Sequence, residues 1–151
     1  MTFPFTASEA PPFDAGLWRI YRASAYHCHN FRLRPGSPNA RWAEYLAAHG
    51  HLSFTFITAY NPYSRTTTTL SENLALAQVL RSWVKEQGYD HLPAAGVDPS
   101  GEWPEEIGLM VFDLPLQEAL RVGVGLGQNA ILHGSAEDGL AEILWCVCHL
   151  P

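Results

Sequence analysis

The chain of 151 residues has little charge and no long apolar run. Asp, Glu, Lys and Arg make up 16% of it, and the nine basic residues are scattered, which leaves a formal net charge of −6. A negative protein repels phosphate backbones, so nucleic-acid binding is disfavoured as the main function. No apolar stretch reaches the roughly 18–20 residues that a membrane-spanning helix needs, so we also expect no membrane partner.

Cysteine is scarce as well. Only Cys28, Cys146 and Cys148 are present, and an odd number without a regular pattern argues against a secreted disulfide scaffold. Residues 1–12 carry neither the basic region nor the apolar run of a signal peptide, so we expect a cytoplasmic protein. These residues include three prolines and show no periodicity, which predicts a flexible N-terminal arm before a single α+β domain over residues 13–151.

Strands and helices alternate in the predicted structure from residue 53 to residue 133. Ser53–Ala59 and Ile107–Phe112 are short, apolar runs typical of central strands. Thr69 and Glu72 match a capping box, which predicts a helix that ends near Gly88. Further predicted elements are strands over 91–95 and 129–133 and helices over 40–49 and 115–124.

This order, β-α-β-β-α-β, is the ferredoxin-like pattern. It predicts a single-layer, mostly antiparallel sheet with helices on one face, in which the first and third strands of the core lie in the centre. Period-2 alternation between Arg19 and Leu33 predicts an N-terminal hairpin, and Glu142–Cys148 predicts a C-terminal strand. An α+β sandwich with another strand order is the alternative.

Several short motifs follow one another along the chain at particular intervals. The spacing resembles that of the bacterial domain-of-unknown-function family catalogued as 3293, over roughly residues 19–134. The motifs are Thr58–Pro62 (TAYNP), Asn73, Gly96–Pro99 followed by Trp103 and Glu106, and Leu126–Ala130 (LGQNA). The resemblance implies no established activity. The chain departs from the pattern after the tryptophan, since Glu106 is followed by Ile107 and Gly108 where we expect a serine.

Polar residues of these motifs are predicted to meet at one rim of the sheet. In the antiparallel arrangement the first core strand ends where the third and fourth begin, and the first helix starts at the same edge. Beneath the loop 96–103, we therefore expect the rim to gather Thr58, Tyr60, Asn61, Asn73, Glu105, Glu106, Gln128 and Asn129. Asn73 falls on the helix face that packs on the sheet, so its amide needs partners such as Asn61 or Gln128.

The rim has two interpretations. Its amides either brace neighbouring backbone or form a site for a small polar molecule such as a base, a sugar or an amino acid. Tyr60, Tyr63 and Trp103 would supply stacking faces. Glu105 or Glu106 would be the acid or base of an enzyme. Three functions therefore stay open: a ligand-binding module, a protein-interaction or adaptor domain, and an enzyme of unknown class. A homodimer is a further possible partner.

Two other patterns are candidates for a metal or cofactor site. His27 and His29 with Cys146 and Cys148 would give an N2S2 metal set if their strands were neighbours, but the C-x-C spacing is unusual for zinc. Gly123–Gly127 has the spacing G-x-G-x-G between a helix and a strand, which is the reverse of a dinucleotide loop. We therefore predict no metal and no cofactor.

Overall fold

The computed structural model describes residues 2–151 as an antiparallel sheet of seven strands with four α-helices. The strands are β1 (Ala25–Cys28), β2 (Phe31–Leu33), β3 (Ser53–Thr58), β4 (His91–Val97), β5 (Glu106–Phe112), β6 (Ala130–Ser135) and β7 (Ala141–Trp145). The helices are α1 (Ala15–Ala23), α2 (Ala40–Ala48), α3 (Leu70–Gln87) and α4 (Leu116–Gly125). The predicted mixture of α and β structure and the antiparallel sheet are confirmed.

The strand order is β2-β1-β4-β5-β3-β6-β7, and every neighbouring pair is antiparallel. The first and third strands of the predicted core, β3 and β5, lie between the other two, β4 and β6. The β1–β2 hairpin extends the sheet beyond β4, and β7 extends it beyond β6. The ends of β3 and the starts of β5 and β6 consequently meet at one edge.

Helices cover both faces of the sheet, which corrects the prediction of helices on one face. Phe54 and Phe56 of β3 pack in one cluster with Trp42 of α2. Ile57, on the opposite face of the same strand, packs in a second cluster with Leu80 of α3. Because side chains alternate along a strand, β3 needs a cover on each side to bury this continuous apolar run.

The N-terminal region also differs from the prediction. Residues 15–23, most of which we expected to be extended, form α1, whose first turn is capped by Asp14 accepting a bond from the Leu17 amide at 3.1 Å. Trp18 and Tyr21, three residues apart, share one helix face toward the second cluster. The strand predicted over 142–148 ends at Trp145, and a short 3-10 helix follows it.

The capping box of α3 is confirmed. Thr69 Oγ1 accepts a bond from the Glu72 amide at 3.1 Å, and the Thr69 amide donates to Glu72 Oε2 at 3.3 Å. Gly88 ends the helix with φ 78°, a left-handed conformation that suits glycine. This fixed start places Asn73 in the first turn, beside the end of β3.

The segment before α1, predicted to be a flexible arm, lies along α3 and α4. The rings of Phe3 and Trp83 are 6.0 Å apart, and the Phe5 amide donates to the Gly125 carbonyl at 3.0 Å. Within residues 2–151, none of the helices has both the length and the hydropathy required to cross a bilayer.

Candidate functional site

A cavity of about 70 Å³ lies between α1 and the sheet, at the edge where β5 and β6 begin. Its apolar floor includes Phe56, Leu132 and Ile143. These side chains project from β3, β6 and β7 toward the face that α1 covers. Since about 10–15 Å³ suffices for one water molecule, the space admits several water-sized groups.

The predicted rim residues divide into three groups around this cavity. Five of them line it: Thr58, Trp103, Glu106, Gln128 and Asn129. Three lie behind the lining and are more than nine-tenths buried: Tyr60, Asn61 and Asn73. The last, Glu105, is exposed to solvent and does not line the cavity. The meeting of residues so far apart in sequence follows from the strand order.

Asn61 and Asn73 form a reciprocal pair. The Asn61 amide N–H donates to Asn73 Oδ1 at 2.8 Å, and Asn73 Nδ2 donates to Asn61 Oδ1 at 3.1 Å. Asn61 Nδ2 then donates to Glu106 Oε2 at 2.9 Å. The first turn of α3 thereby positions the carboxyl of Glu106 at the cavity, although α3 itself packs on the opposite face of the sheet.

Other rim residues brace the backbone at the end of β3. Thr58 Oγ1 donates to the Ile107 carbonyl at 2.7 Å and accepts from the Tyr60 amide at 3.0 Å. Gln128 Nε2 donates to the Tyr60 carbonyl at 3.0 Å. Structural bracing, one of the two interpretations of the rim, thus describes Thr58 and the nitrogen end of Gln128.

The turn after β3 has an unusual backbone. Asn61, Tyr63 and Ser64 all have left-handed φ values, of 50°, 57° and 59°. Asparagine adopts such a conformation more readily than most residues, but it is a genuine outlier for a bulky side chain such as that of Tyr63. Strained backbone of this kind concentrates at ligand-binding and catalytic sites. Here it directs the hydroxyl of Ser64 toward α1.

A chain of polar contacts closes the cavity on the side of α1. Asn129 Nδ2 donates to the Tyr21 hydroxyl oxygen at 3.1 Å, and this hydroxyl and that of Ser64 are also hydrogen-bonded. Since the Tyr21 oxygen accepts from Asn129, its own hydrogen is free to point at Ser64 Oγ. Burial raises the pKa of Tyr21, so the phenol stays protonated at neutral pH.

The sequence predictions missed Tyr21 and Ser64. For Tyr21, the missed signal is Asp14, a good N-cap residue just before a segment with Trp18 and Tyr21 at helical spacing. For Ser64, the sequence offers no such signal, because Asn-Pro after a strand predicts only an ordinary turn.

Glu106 is the titratable group with the most perturbed environment in the cavity. Burial raises its pKa from 4.5 to about 7, while the hydrogen bond from Asn61 opposes that shift. No Lys, Arg or His side chain lines the cavity to balance the carboxylate. At neutral pH both protonation states are therefore populated, and Glu106 is able to accept or donate a proton there.

The loop after β4 places a second carboxylate at the cavity. Asp98 accepts bonds from the backbone and hydroxyl of Ser100 and from the Trp103 amide, the last at 3.0 Å. These bonds, led by that from the Ser100 hydroxyl, lower the pKa of Asp98. Asp98 is consequently ionised at neutral pH, and the turn it organises brings the Trp103 ring to the cavity.

Three amide or carboxylate oxygens of the lining have no partner among residues 2–151. Glu106 Oε1, Gln128 Oε1 and Asn129 Oδ1 accept no hydrogen bond there. Gln128 and Asn129 are 9% and 6% exposed, so these oxygens have little access to solvent except through the cavity. None of the three is a fully buried atom, so through the cavity these oxygens are open to a bound molecule or to water.

The structure does not bring together the two histidines and two cysteines that would form an N2S2 metal site. His27 lies on β1 and His29 just after it, whereas Cys146 and Cys148 follow β7, and four strands separate β1 from β7. Within the described residues, no three His, Cys, Asp or Glu side chains are arranged to hold a metal ion. The glycines of 123–127 end α4 and form the turn before β6, with Gly127 at φ 72°.

Comparison with known protein families identifies the central part of the chain. Residues 57–131, about half of the chain, match the model of the family described as "Protein of unknown function (DUF3293)". The chain belongs to this family through that segment, and the resemblance carried by TAYNP and LGQNA is confirmed. All the predicted rim residues fall within the matched segment. No curated protein and no solved structure matches the chain.

Proposed function

We propose that the cavity beside Glu106 binds a small polar molecule and that the protein is a small-molecule binding module. The observation that carries this proposal is the partly apolar cavity into which Glu106, Gln128 and Asn129 present unpaired oxygens. Ligand sites in general combine an apolar lining with a few convergent polar groups. The strained turn at Asn61–Ser64 supports the same reading.

Bracing alone accounts for only part of the rim. It describes Thr58 and Asn73, whose polar atoms bond to other protein groups. It leaves unexplained why a carboxyl is buried at Glu106 without a basic partner, because such burial destabilises the ionised form. Binding of a ligand would explain why this carboxyl lies at the cavity without a basic partner.

An enzyme is the second candidate, and the pKa of Glu106 favours it. A general acid or base works best when its pKa lies near the working pH, and burial brings that of Glu106 to about 7. Such a group would transfer a proton to or from a molecule held in the cavity. Glu105, the other predicted carboxylate, is exposed and does not line the cavity, so we assign the role to Glu106.

The ferredoxin-like fold predicted from the sequence is part of this proposal. The order β4-β5-β3-β6, with α3 and α4 on one face, supports a ferredoxin-like assignment for the segment from β3 to β6. The hairpin and α1 would then be additions that build the cavity wall. A cytoplasmic location, an adaptor role and a homodimer stay predictions from the sequence.

A thermal-shift screen against nucleobases, sugars, amino acids and small amines tests the binding function. A ligand at 100 times its Kd adds about 2.7 kcal/mol to the free energy of unfolding. In a chain of this length that raises the Tm by roughly 5–10 °C. Amide chemical shifts then locate the hit. We expect the largest changes at Ser64, Gly96 and Asn129, and none at His133, which lies outside the cavity.

The outcomes separate the candidates. Binding at these amides without turnover supports a binding module, and turnover that is lost in Glu106→Gln supports the enzyme. If no compound stabilises the protein, or if shifts cluster away from the cavity, the proposal is wrong and the adaptor hypothesis takes its place.

A further inference from the structure

The charged side chains that line the cavity are all acidic. Two carboxylates, Asp98 and Glu106, line it, and none of the lining residues is Lys, Arg or His. Two nearby arginines are engaged elsewhere: Arg22 Nε lies 3.5 Å from Glu142 Oε2, and Arg65 lies over the Tyr63 ring at 5.6 Å. A bound anion would meet only like charge, so phosphate and carboxylate groups are poor candidates for this space.

Three hydroxyl donors of the lining are directed at the protein. A hydroxyl has a single hydrogen, and those of Ser24, Tyr26 and Thr58 donate to the carbonyls of Ile20, Tyr21 and Ile107 at 2.7–3.0 Å. The amide nitrogens of Gln128 and Asn129 each donate one of their two hydrogens to a protein partner. The cavity also presents three acceptor oxygens without a partner: Glu106 Oε1, Gln128 Oε1 and Asn129 Oδ1. A ligand that satisfies them must be rich in donors.

Aromatic rings complete the lining. Tyr21, Tyr26, Phe56 and Trp103 all contribute to it. The faces of such rings attract cations, most strongly once water is excluded. The apolar floor would at the same time cover a short alkyl stem, as protein surfaces do for lysine side chains. Acidic charge, unpaired acceptors and ring faces are three separate features that favour the same chemistry.

From these features we infer that the cavity takes a small organic cation with N–H donors, such as the end of a primary amine, and rejects anions of the same size. This inference rests on the proposed binding function and adds the class of ligand. The ammonium would lie against Glu106 and the amide oxygens of Gln128 and Asn129, with its carbon stem along the apolar floor.

Binding of a cation depends on the charge of Glu106. The other titratable groups that face the cavity are Asp98 after β4, Tyr21 on α1 and Tyr26 on β1. Asp98 is ionised and both phenols are protonated throughout the range of pH 6 to 8, because burial raises the pKa of each tyrosine and hydrogen bonds lower that of Asp98. With a pKa of about 7, Glu106 is the group that changes charge in this range.

Calorimetric titration with butylammonium chloride tests the inference, with butanol as the neutral analogue and sodium butyrate as the anion, all at equal ionic strength. The matched variants are Glu106→Gln and Glu105→Gln, which remove the same charge from adjacent positions, one in the cavity and one exposed. We expect wild type and Glu105→Gln to bind butylammonium alike, and Glu106→Gln to lose at least about tenfold in affinity.

The pH dependence is a second readout that needs no variant. If only the ionised carboxylate binds the amine, the apparent Kd of wild type at pH 6 should be about tenfold weaker than at pH 8. Glu106→Gln should show no such change. Equal binding of butylammonium by both variants, or a preference for butanol or butyrate, would overturn the inference and leave the binding function standing. Failure of all three probes and of the wider ligand screen would overturn both.

Discussion

Replacing Glu106 with glutamine should stabilise the protein at neutral pH. The carboxyl ionises near 4.5 in the unfolded chain and near 7 in the folded one, so the folded state holds the extra proton between these values. The free energy of unfolding therefore falls as the pH rises from about 4.5 to 7 and stays lower above it. At 1.36 kcal/mol for each pKa unit, and allowing for the partial exposure of Glu106, the loss is about 2–3 kcal/mol. Glutamine has no such loss and is still able to accept the bond from Asn61.

Urea unfolding of wild type and Glu106→Gln from pH 4 to pH 9 measures this difference, with Glu105→Gln as the control. We expect the advantage of Glu106→Gln to be small and constant below about pH 4.5 and to grow by about 2–3 kcal/mol by pH 8. The Glu105→Gln curve should run parallel to wild type. If the Glu106→Gln curve is parallel as well, then Glu106 ionises normally, and the account of a carboxylate buried without a counter-ion is wrong.

Two further substitutions test the packing behind the cavity. Asn73→Ala leaves the Asn61 backbone amide without its acceptor. Urea unfolding should therefore show a free energy of unfolding that is lower by about 1–3 kcal/mol. The control Gln78→Ala, at an exposed position of the same helix, should lower it by less than about 0.5 kcal/mol. Gly108→Ala would push a Cβ into the Ile57 carbonyl and the Phe56 ring, so thermal unfolding should show a loss of about 1–3 kcal/mol or more; no loss there would contradict this packing.

The core elements could be predicted because their signals are local. The capping box at Thr69 and Glu72 sets the start of α3, and the apolar run from Ser53 sets β3. Helix α1 could not be recognised in the same way. Tyr21 and Ala23 alternate with polar residues as in a strand, and the helical spacing of Trp18 and Tyr21 becomes decisive only once their partners on the sheet are known.

The candidate site was predictable to a lesser degree. That Thr58, Asn61 and Glu106 approach one another follows from the antiparallel order of β3 and β5. Which polar atoms are then used up within the protein depends on side-chain geometry, which no spacing encodes. The sequence also does not show which of the adjacent carboxylates Glu105 and Glu106 lines the cavity. The strand register decides this, and it places Glu106 in the cavity and Glu105 in solvent.

The wall that α1 provides lies outside the segment that the family model matches. Residues 57–131 supply the rim, but Tyr21 and Ile143 of the lining lie outside that segment, on α1 and β7. Tyr21 meets Asn129 across 108 positions of the chain. The rim and the wall therefore belong to different parts of the chain, so substitutions on α1 or β7 would change the shape of the cavity without altering the acidic centre at Glu106.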